Sequence, residues 1–171
     1  MLNNKKVLIL AENIYEDLEL WYPKLRLIEE GAKVIVAGTG DKTYKGKNGY
    51  PLEVDGNIED CKAKDFDAVI VPGGFAPDKL RRYREVLELV KQMHDSGKLV
   101  AAICHGPWVL VSAGILKGKK VTCVSAIKDD VINAGAKYFD REVVVDANIV
   151  TSRKPDDLPA FCREIIKVLN K

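Results

Sequence analysis

Residues 98–118 read KLVAAICHGPWVLVSAGILKG and contain the clearest structural pattern in the chain. Residues 99–103 form an unbroken apolar run, which is typical of a buried strand and too short for an ordinary helix. The segment CHGP, residues 104–107, follows directly, and residues 108–113 return to apolar positions at helical spacing until Gly114. A buried strand that turns sharply into a helix places its corner residue above the carboxyl end of a sheet, where open α/β folds bind ligands.

The residue at this corner is Cys104. The arrangement resembles the nucleophile elbow of hydrolases, with Gly106 two residues on and Ala102 in place of the first glycine of that motif. A thiol at a helix N-terminus gains thiolate character from the helix dipole and from a neighbouring imidazole, and His105 is next in sequence. The alternative is structural: a buried cysteine that ends a strand, followed by a histidine that caps the helix or faces solvent.

The rest of the chain alternates strand and helix patterns. Buried strands are predicted at 6–11, 33–38, 66–71, 99–103 and 120–124, hairpins at 43–54 and 142–152, and helices at 78–84, 85–95, 108–113, 127–136 and 156–170. A further helix is expected to start near Tyr22, because Pro23 fits best in a first turn, and to stop at Gly31. The pattern predicts a single α/β domain over 1–171, with a mainly parallel sheet covered by helices on both faces.

The composition narrows the classes of function. The 27 basic and 25 acidic side chains give a net charge of +2, with no block of like charge that would indicate nucleic acid as a partner. No apolar run approaches the roughly 18 residues of a membrane span, and the N-terminus does not have the pattern of a signal peptide, so a cytoplasmic protein is expected. The four cysteines are far apart and form no CxxC pair, which argues against a zinc or dithiol site. No metal or cofactor is predicted.

Four other motifs lie near predicted strand ends. The acids Glu16, Asp17 and Glu19 follow the first strand, where any of them could cap the next helix or serve a site. Gly73 and Gly74 follow the strand at 66–71, where they either make an ordinary turn or present backbone amides to a ligand. The stretch GTG at 38–40 begins like a phosphate-binding fingerprint but lacks the third glycine, and it is interpreted as a turn. The acids Asp129 and Asp130 are interpreted as capping or solvated residues.

These motifs resemble the PfpI family, which belongs to the superfamily of the parkinsonism-linked protein deglycase and the class I glutamine amidotransferases. The resemblance rests on AICHGP, VPGG and the EDLE cluster at 16–19, supported by IKDD, INAG and EVVVD, and it spans about residues 5–169. It implies a flavodoxin-like three-layer sandwich with an extra β-hairpin, and a homo-oligomer such as a dimer, trimer or hexamer.

The resemblance also implies roles for individual residues. Cys104 would be the nucleophile, His105 its partner, and Glu16 the carboxyl that hydrogen-bonds the thiol. The turn at Gly73 and Gly74, together with the backbone N–H of His105, would form the oxyanion hole, in which the Gly74 amide is expected to donate. Asp78 would reach the histidine of a neighbouring subunit. Val124 stands where some members have a tyrosine, so no hydroxyl donor is expected there.

The implied activity is that of a cysteine-type hydrolase. Members of this family have been described as deglycases, intracellular peptidases and glyoxalases, and thiolate attack on a carbonyl-type carbon would serve each of these activities. The expected substrates are small carbonyl adducts or short peptides. The alternative is a redox sensor or chaperone of the stress response, in which Cys104 is oxidised.

Overall fold

A computed structural model describes residues 1–171. Its strands are β1 (Lys6–Leu10), β2 (Lys33–Gly38), β3 (Thr43–Lys45), β4 (Pro51–Glu53), β5 (Gly56–Asn57), β6 (Ala68–Val71), β7 (Leu99–Ile103), β8 (Lys120–Val121), β9 (Lys137–Tyr138), β10 (Val143–Asp146) and β11 (Ile149–Ser152). Its α-helices are α1 (Asp17–Glu29), α2 (Ala76–Leu80), α3 (Arg84–Asp95), α4 (Pro107–Ser112), α5 (Lys128–Asn133) and α6 (Leu158–Leu169). None of these helices combines the length and apolar character needed to cross a membrane.

Seven strands form the main sheet in the order β10-β11-β7-β6-β1-β2-β5. All neighbours are parallel except β10 and β11, which form the predicted hairpin. The chain leaves β1 towards β2 on one side and later returns to β6 on the other, so the crevice between β1 and β6 is a topological switch point. Residues that follow β1, β6 and β7 therefore meet at one edge of the sheet.

Helices cover both faces of this sheet. Helices α1 and α6 pack against each other on one face, and α3 and α4 pack against β7 on the other. The central strands β6 and β7 are entirely buried, as expected of parallel strands covered on both sides. The predicted flavodoxin-like three-layer α/β fold is confirmed.

Two small sheets lie outside the main one. Strands β3 and β4 form the predicted extra hairpin, but Lys45 pairs with Pro51, so the connection spans residues 46–50 and is longer than a two-residue turn at Asn48 and Gly49. The predicted strand at 120–124 is shorter than expected, because β8 stops at Val121 and pairs with β9 apart from the main sheet.

The predicted start of the first helix at Tyr22 is wrong. Helix α1 begins at Asp17 and contains Pro23 in its interior. The proline lacks an N–H and cannot bond to the carbonyl of Glu19, which normally costs a few kcal/mol. Packing outweighs this cost, because Pro23 shares the buried face of α1 with Leu20 and Leu27.

Candidate active site

The backbone at Cys104 forms a sharp corner between β7 and α4. Cys104 has a φ of +62°, a conformation that side-chain-bearing residues rarely adopt and that is often stabilised at functional sites. Its N–H donates to the Ser152 carbonyl at 3.1 Å, and its own carbonyl accepts from the Val124 N–H at 3.2 Å. These two bonds from neighbouring segments hold the strained residue in place.

Gly106 makes the corner possible by its lack of a side chain. A Cβ at this position would overlap the Val71 carbonyl oxygen and press on the backbone of Ile103. The contact atoms belong to β6 and β7, which cannot move without disturbing the sheet. The glycine predicted from the elbow pattern is therefore required for a close approach of backbones.

The carboxyl beside the thiol belongs to Glu19, so the prediction that Glu16 holds this place is wrong. The Glu19 side chain is fully buried, and its Oε2 accepts from the Gly73 N–H at 2.8 Å. A Cβ built on Gly73 would touch both Glu19 Oε2 and Cys104 Cβ, so the carboxyl lies beside the cysteine. Glu16 precedes the first residue of α1, and its Oε2 lies 3.3 Å from Lys47 Nζ. Because α1 begins at Asp17, the helical repeat puts Glu19 on the face that points into the fold.

Burial dominates the electrostatics of this pair. It raises the pKa of Glu19 to about 8, and the nearby charge of Glu16 acts in the same direction. Burial, followed by the charge of Glu19, raises the pKa of Cys104 to about 12. The thiolate character expected from the elbow is therefore absent at rest, because desolvation outweighs the two backbone amides that favour the charged sulfur. At neutral pH the site holds a neutral carboxyl against a neutral thiol.

His105 is the second titratable partner of the thiol. Its Nδ1 lies 3.4 Å from Cys104 Sγ, and its ring packs against that of Trp108 at a centroid distance of 5.0 Å. Burial and then the charge of Lys47 lower the pKa of His105, so the imidazole is neutral at pH 7 and able to accept a proton. Asp130, interpreted from sequence as capping or solvated, accepts from Trp108 Nε1 at 2.8 Å and so fixes the ring beside His105.

In the turn after β6, only the second glycine has its N–H near the thiol, because the N–H of the first glycine is hydrogen-bonded to another residue. The backbone N–H groups of Gly74 and His105 are close enough to Cys104 to favour its charged form and so to lower the pKa of the thiol. The Gly73 N–H donates to Glu19 instead, so the prediction that Gly73 belongs to the oxyanion hole is wrong. Gly74 has a φ of +76°, and a Cβ there would overlap the backbone of Ile14 and Glu16.

Lys47 is a residue at the site that sequence reasoning missed. The loop 46–50 is attached to the start of α1 because the Asp17 carboxylate accepts from the N–H of Asn48 at 2.9 Å and from that of Tyr50 at 3.3 Å. The Lys47 N–H also donates to the Tyr15 carbonyl at 2.7 Å. The NG turn signal indicated a loop here, but nothing in the sequence showed that an acid of the first helix would capture it.

Asp78 does not join this group within the chain. It lies in the first turn of α2, where its Oδ2 is 2.6 Å from Arg82 Nη2, and the carboxylate is partly exposed. The predicted contact was with the histidine of another subunit, so it stays a prediction.

Comparisons with known proteins agree with this fold. The sequence model of the DJ-1/PfpI family matches residues 5–168. The deglycase PfpI of Pyrococcus furiosus is 48% identical over 96% of this chain and 99% of its own length. Protein/nucleic acid deglycase 2 of Escherichia coli is 43% identical over 97% of this chain and 98% of its own length.

A solved structure from Anabaena variabilis, a two-domain protein with DJ-1/ThiJ/PfpI-like and ferritin-like domains, is also similar. It is 44% identical to this chain with a TM-score of 0.96 over 98% of the chain. The present chain spans 48% of that protein, or about half its length.

Proposed function

The chain belongs to the DJ-1/PfpI family, and we propose that it is a cysteine-dependent hydrolase that removes small carbonyl-derived adducts through Cys104. The observation that carries this proposal is the convergence of four groups on one sulfur: the Glu19 carboxyl, the His105 imidazole and the backbone amides of Gly74 and His105. The names of the relatives from P. furiosus and E. coli, both deglycases, support it.

The proposed reaction begins with proton transfer from the thiol to the neutral imidazole of His105. The imidazolium gives this proton to the nitrogen of the hemiaminal, the C–N bond breaks, and the amine leaves behind an aldehyde carbon, to which the sulfur adds. The oxyanion of the resulting hemithioacetal accepts hydrogen bonds from the Gly74 and His105 amides before it is protonated. His105 then moves a proton from this carbon to the neighbouring carbonyl carbon through an enediol, so the hemithioacetal becomes the thioester of a 2-hydroxy acid without an external oxidant. Water attacks the thioester, which releases the hydroxy acid and restores the thiol.

Glu19 would serve this cycle as a neutral hydrogen-bond donor. Its raised pKa keeps the carboxyl protonated at neutral pH, so it can donate to the sulfur when the sulfur becomes negatively charged. A carboxylate in the same place would oppose the thiolate by like-charge repulsion. The buried position therefore supports a function in the reaction.

The experiment is a comparison of amine release from a methylglyoxal-treated N-acetylated arginine by the wild type, Cys104→Ser and Cys61→Ser. Cys61 is a second partly exposed thiol, so its variant is the matched control. We expect activity in the wild type and Cys61→Ser and its loss in Cys104→Ser. Free methylglyoxal and a short unmodified peptide, tested in parallel, distinguish a glyoxalase or a peptidase from a deglycase. Equal activity of the Cys104→Ser protein would refute the proposal.

The redox-sensor alternative needs the same thiolate, because that is the form that oxidants attack, and the raised pKa of Cys104, about 12, keeps it scarce for both functions. The names of the relatives, both deglycases, favour the hydrolase.

A further inference from the structure

A cavity lies beside the carboxyl ends of β1 and β2, and it is not lined by Glu19, Gly74 or His105, the residues grouped around Cys104. Its volume is about 560 Å³, and its walls are mostly polar. Acids Glu12 and Asp41 come from the loops after the two strands, whereas Lys79 and Arg82 come from α2 and the turn that follows it. Charges of opposite sign therefore belong to different walls of one cavity.

Glu12 is the fixed part of the acidic wall. Only 5% of the residue is exposed, its Oε1 accepts from the Asn13 N–H at 2.7 Å, and its Oε2 accepts from the Thr39 hydroxyl. Thr39 is held in turn, because its N–H donates to the Tyr44 hydroxyl oxygen at 2.7 Å. The carboxylate is thus positioned before any ligand arrives.

The GTG stretch that resembled a phosphate-binding motif explains this positioning. A Cβ at Gly38 would overlap the ring of Tyr44, so the glycine admits the tyrosine that holds Thr39. The motif therefore orients a hydroxyl towards a carboxylate. Glu12 would repel a phosphate in this place.

Lys79, which supplies the positive charge opposite Glu12, is loosely held. Lys79 Nζ lies 3.8 Å from Glu12 Oε1, which is beyond hydrogen-bonding distance, and the lysine side chain is 43% exposed. A buried carboxylate with two hydrogen bonds keeps acceptor capacity, and leaving a buried charge without a close partner is costly. A ligand ammonium group would supply both the charge and the donors, while Lys79 stays free to bind an anion.

We propose that this cavity binds a free α-amino acid as a zwitterion. Its ammonium group would donate to Glu12 and Asp41, and its carboxylate would accept from Lys79 and Arg82. A ligand with only negative charge is repelled by the acidic wall, and one with only positive charge is repelled by the basic wall. The position at the carboxyl ends of parallel strands is where open α/β sheets bind small molecules. This site goes beyond the proposed hydrolase activity and does not depend on it.

The test is isothermal titration of the full chain with glycine and with arginine, alongside acetate and methylammonium at the same ionic strength. We expect an amino acid to bind and both singly charged analogues to fail at equal concentration. Absence of amino-acid binding to the wild-type protein would overturn the proposal, whether the cause is a low affinity of the cavity or its burial by a second copy of the chain.

Variants locate the binding site. Glu12→Gln and Lys79→Gln should each weaken binding about tenfold or more, since each removes a charge-assisted hydrogen bond. Lys79 is on the surface, so its variant remains informative if Glu12→Gln folds poorly. Glu59→Gln and Lys64→Gln change exposed charges elsewhere and should leave binding unchanged. Binding that survives Lys79→Gln but disappears in Cys104→Ser would assign the ligand to the candidate active site and overturn the proposal.

Discussion

Glu19 is a buried acid that lowers the stability of the fold as the pH rises. In the unfolded chain a glutamate loses its proton near 4.5, whereas burial raises the pKa of Glu19 in the folded chain to about 8. Between these values the folded state binds more protons than the unfolded state, so the free energy of unfolding falls with increasing pH. Above the folded pKa this loss is complete. Such a cost is expected where a group serves chemistry rather than stability.

The variant Glu19→Gln separates the two roles. The amide keeps the shape and an acceptor for the Gly73 N–H but does not ionise. We expect the fall in the free energy of unfolding between pH 4.5 and about 8 to become smaller than in the wild type, as measured by urea denaturation across that range. Adduct hydrolysis should fall about tenfold, since the amide N–H of glutamine is a weaker hydrogen-bond donor to the charged sulfur than the O–H of a carboxylic acid.

Glu16→Gln is the control for this experiment. Its partner Lys47 is half exposed, and such pairs contribute about 0–1 kcal/mol, so stability should change little. The activity should fall less than in Glu19→Gln. A greater loss of activity in Glu16→Gln than in Glu19→Gln would mean that Glu16, and not Glu19, is the carboxyl that acts on the thiol.

The sequence identified the acid cluster but chose the wrong member, for a physical reason. Cys104 and His105 stood out because their chemistry coincides with a sharp change of hydrophobic pattern. The choice of Glu16 came from the family resemblance. Because the helix was expected to start at Tyr22, both Glu16 and Glu19 were placed in the loop before it, where no helical face distinguishes one acid from the other.

At the scale of elements, the connection between β3 and β4 places the charged side chain of Lys47 near the site. Lys47 lowers the pKa of His105, as burial also does. Removing the charge in Lys47→Met should raise that pKa, so the acidic limb of the kcat/KM profile should move to higher pH. The measurement is the pH dependence of kcat/KM for the adduct substrate.

Lys45→Met is the matched control, because Lys45 belongs to the same hairpin and is exposed. Its pH profile should overlay that of the wild type. Equal shifts in both variants would mean that the effect comes from net charge and not from the position of Lys47.

The corner between β7 and α4 gives a second prediction at this scale. Gly106→Ala would force a Cβ against the Val71 carbonyl, and we expect a loss of about 2 kcal/mol or more in the free energy of unfolding. Gly56→Ala is the control, because a Cβ there meets nothing within 4 Å. Urea denaturation of both variants tests this, and equal stabilities would show that the corner has room to adjust.

Elements with strong periodicity were predictable and those held by tertiary contacts were not. Strand β7 and helix α3 agree closely with the sequence pattern, because both bury apolar residues at a regular spacing. Strand β8 ends early because the backbone N–H of Thr122 donates to the side-chain hydroxyl oxygen of Thr151 at 2.9 Å, a contact that no local pattern signals. The interior position of Pro23 likewise depends on packing that local rules do not contain.

At the scale of the whole molecule, topology brings the site together from distant segments. Because β1, β6 and β7 are parallel neighbours, the residues after them converge at one edge of the sheet. The alternating strand and helix patterns predicted a mainly parallel sheet but not the order of its strands. Contacts between subunits depend on surface shape, which buried periodicity does not encode. The outer side of α1 leaves Leu18, Leu25 and Ile28 exposed, an apolar surface of the kind that marks association.

The last prediction is that Asp78 of the partner subunit orients His105 in a homo-oligomer. Within its own chain, Asp78 pairs with Arg82, whose side chain is largely exposed, while that of Asp78 is partly exposed. Such a pair holds the carboxylate weakly and leaves it available to another subunit. A neutral histidine that acts as a base is usually oriented by a third group, as in other nucleophile–base pairs.

Mixing two inactive variants tests this arrangement. Cys104→Ser lacks the nucleophile and Asp78→Ala lacks the orienting acid, but a mixed oligomer contains sites that combine Cys104 of one chain with Asp78 of the other. After joint unfolding and refolding, we expect the mixture to regain up to about a quarter of wild-type activity if the active unit is a dimer with random pairing. Cys104→Ser mixed with wild type provides the calibration, and light scattering confirms the oligomer. A fully active Asp78→Ala protein, or a mixture no more active than its parts, would leave Cys104, Glu19 and His105 of a single chain as the complete site.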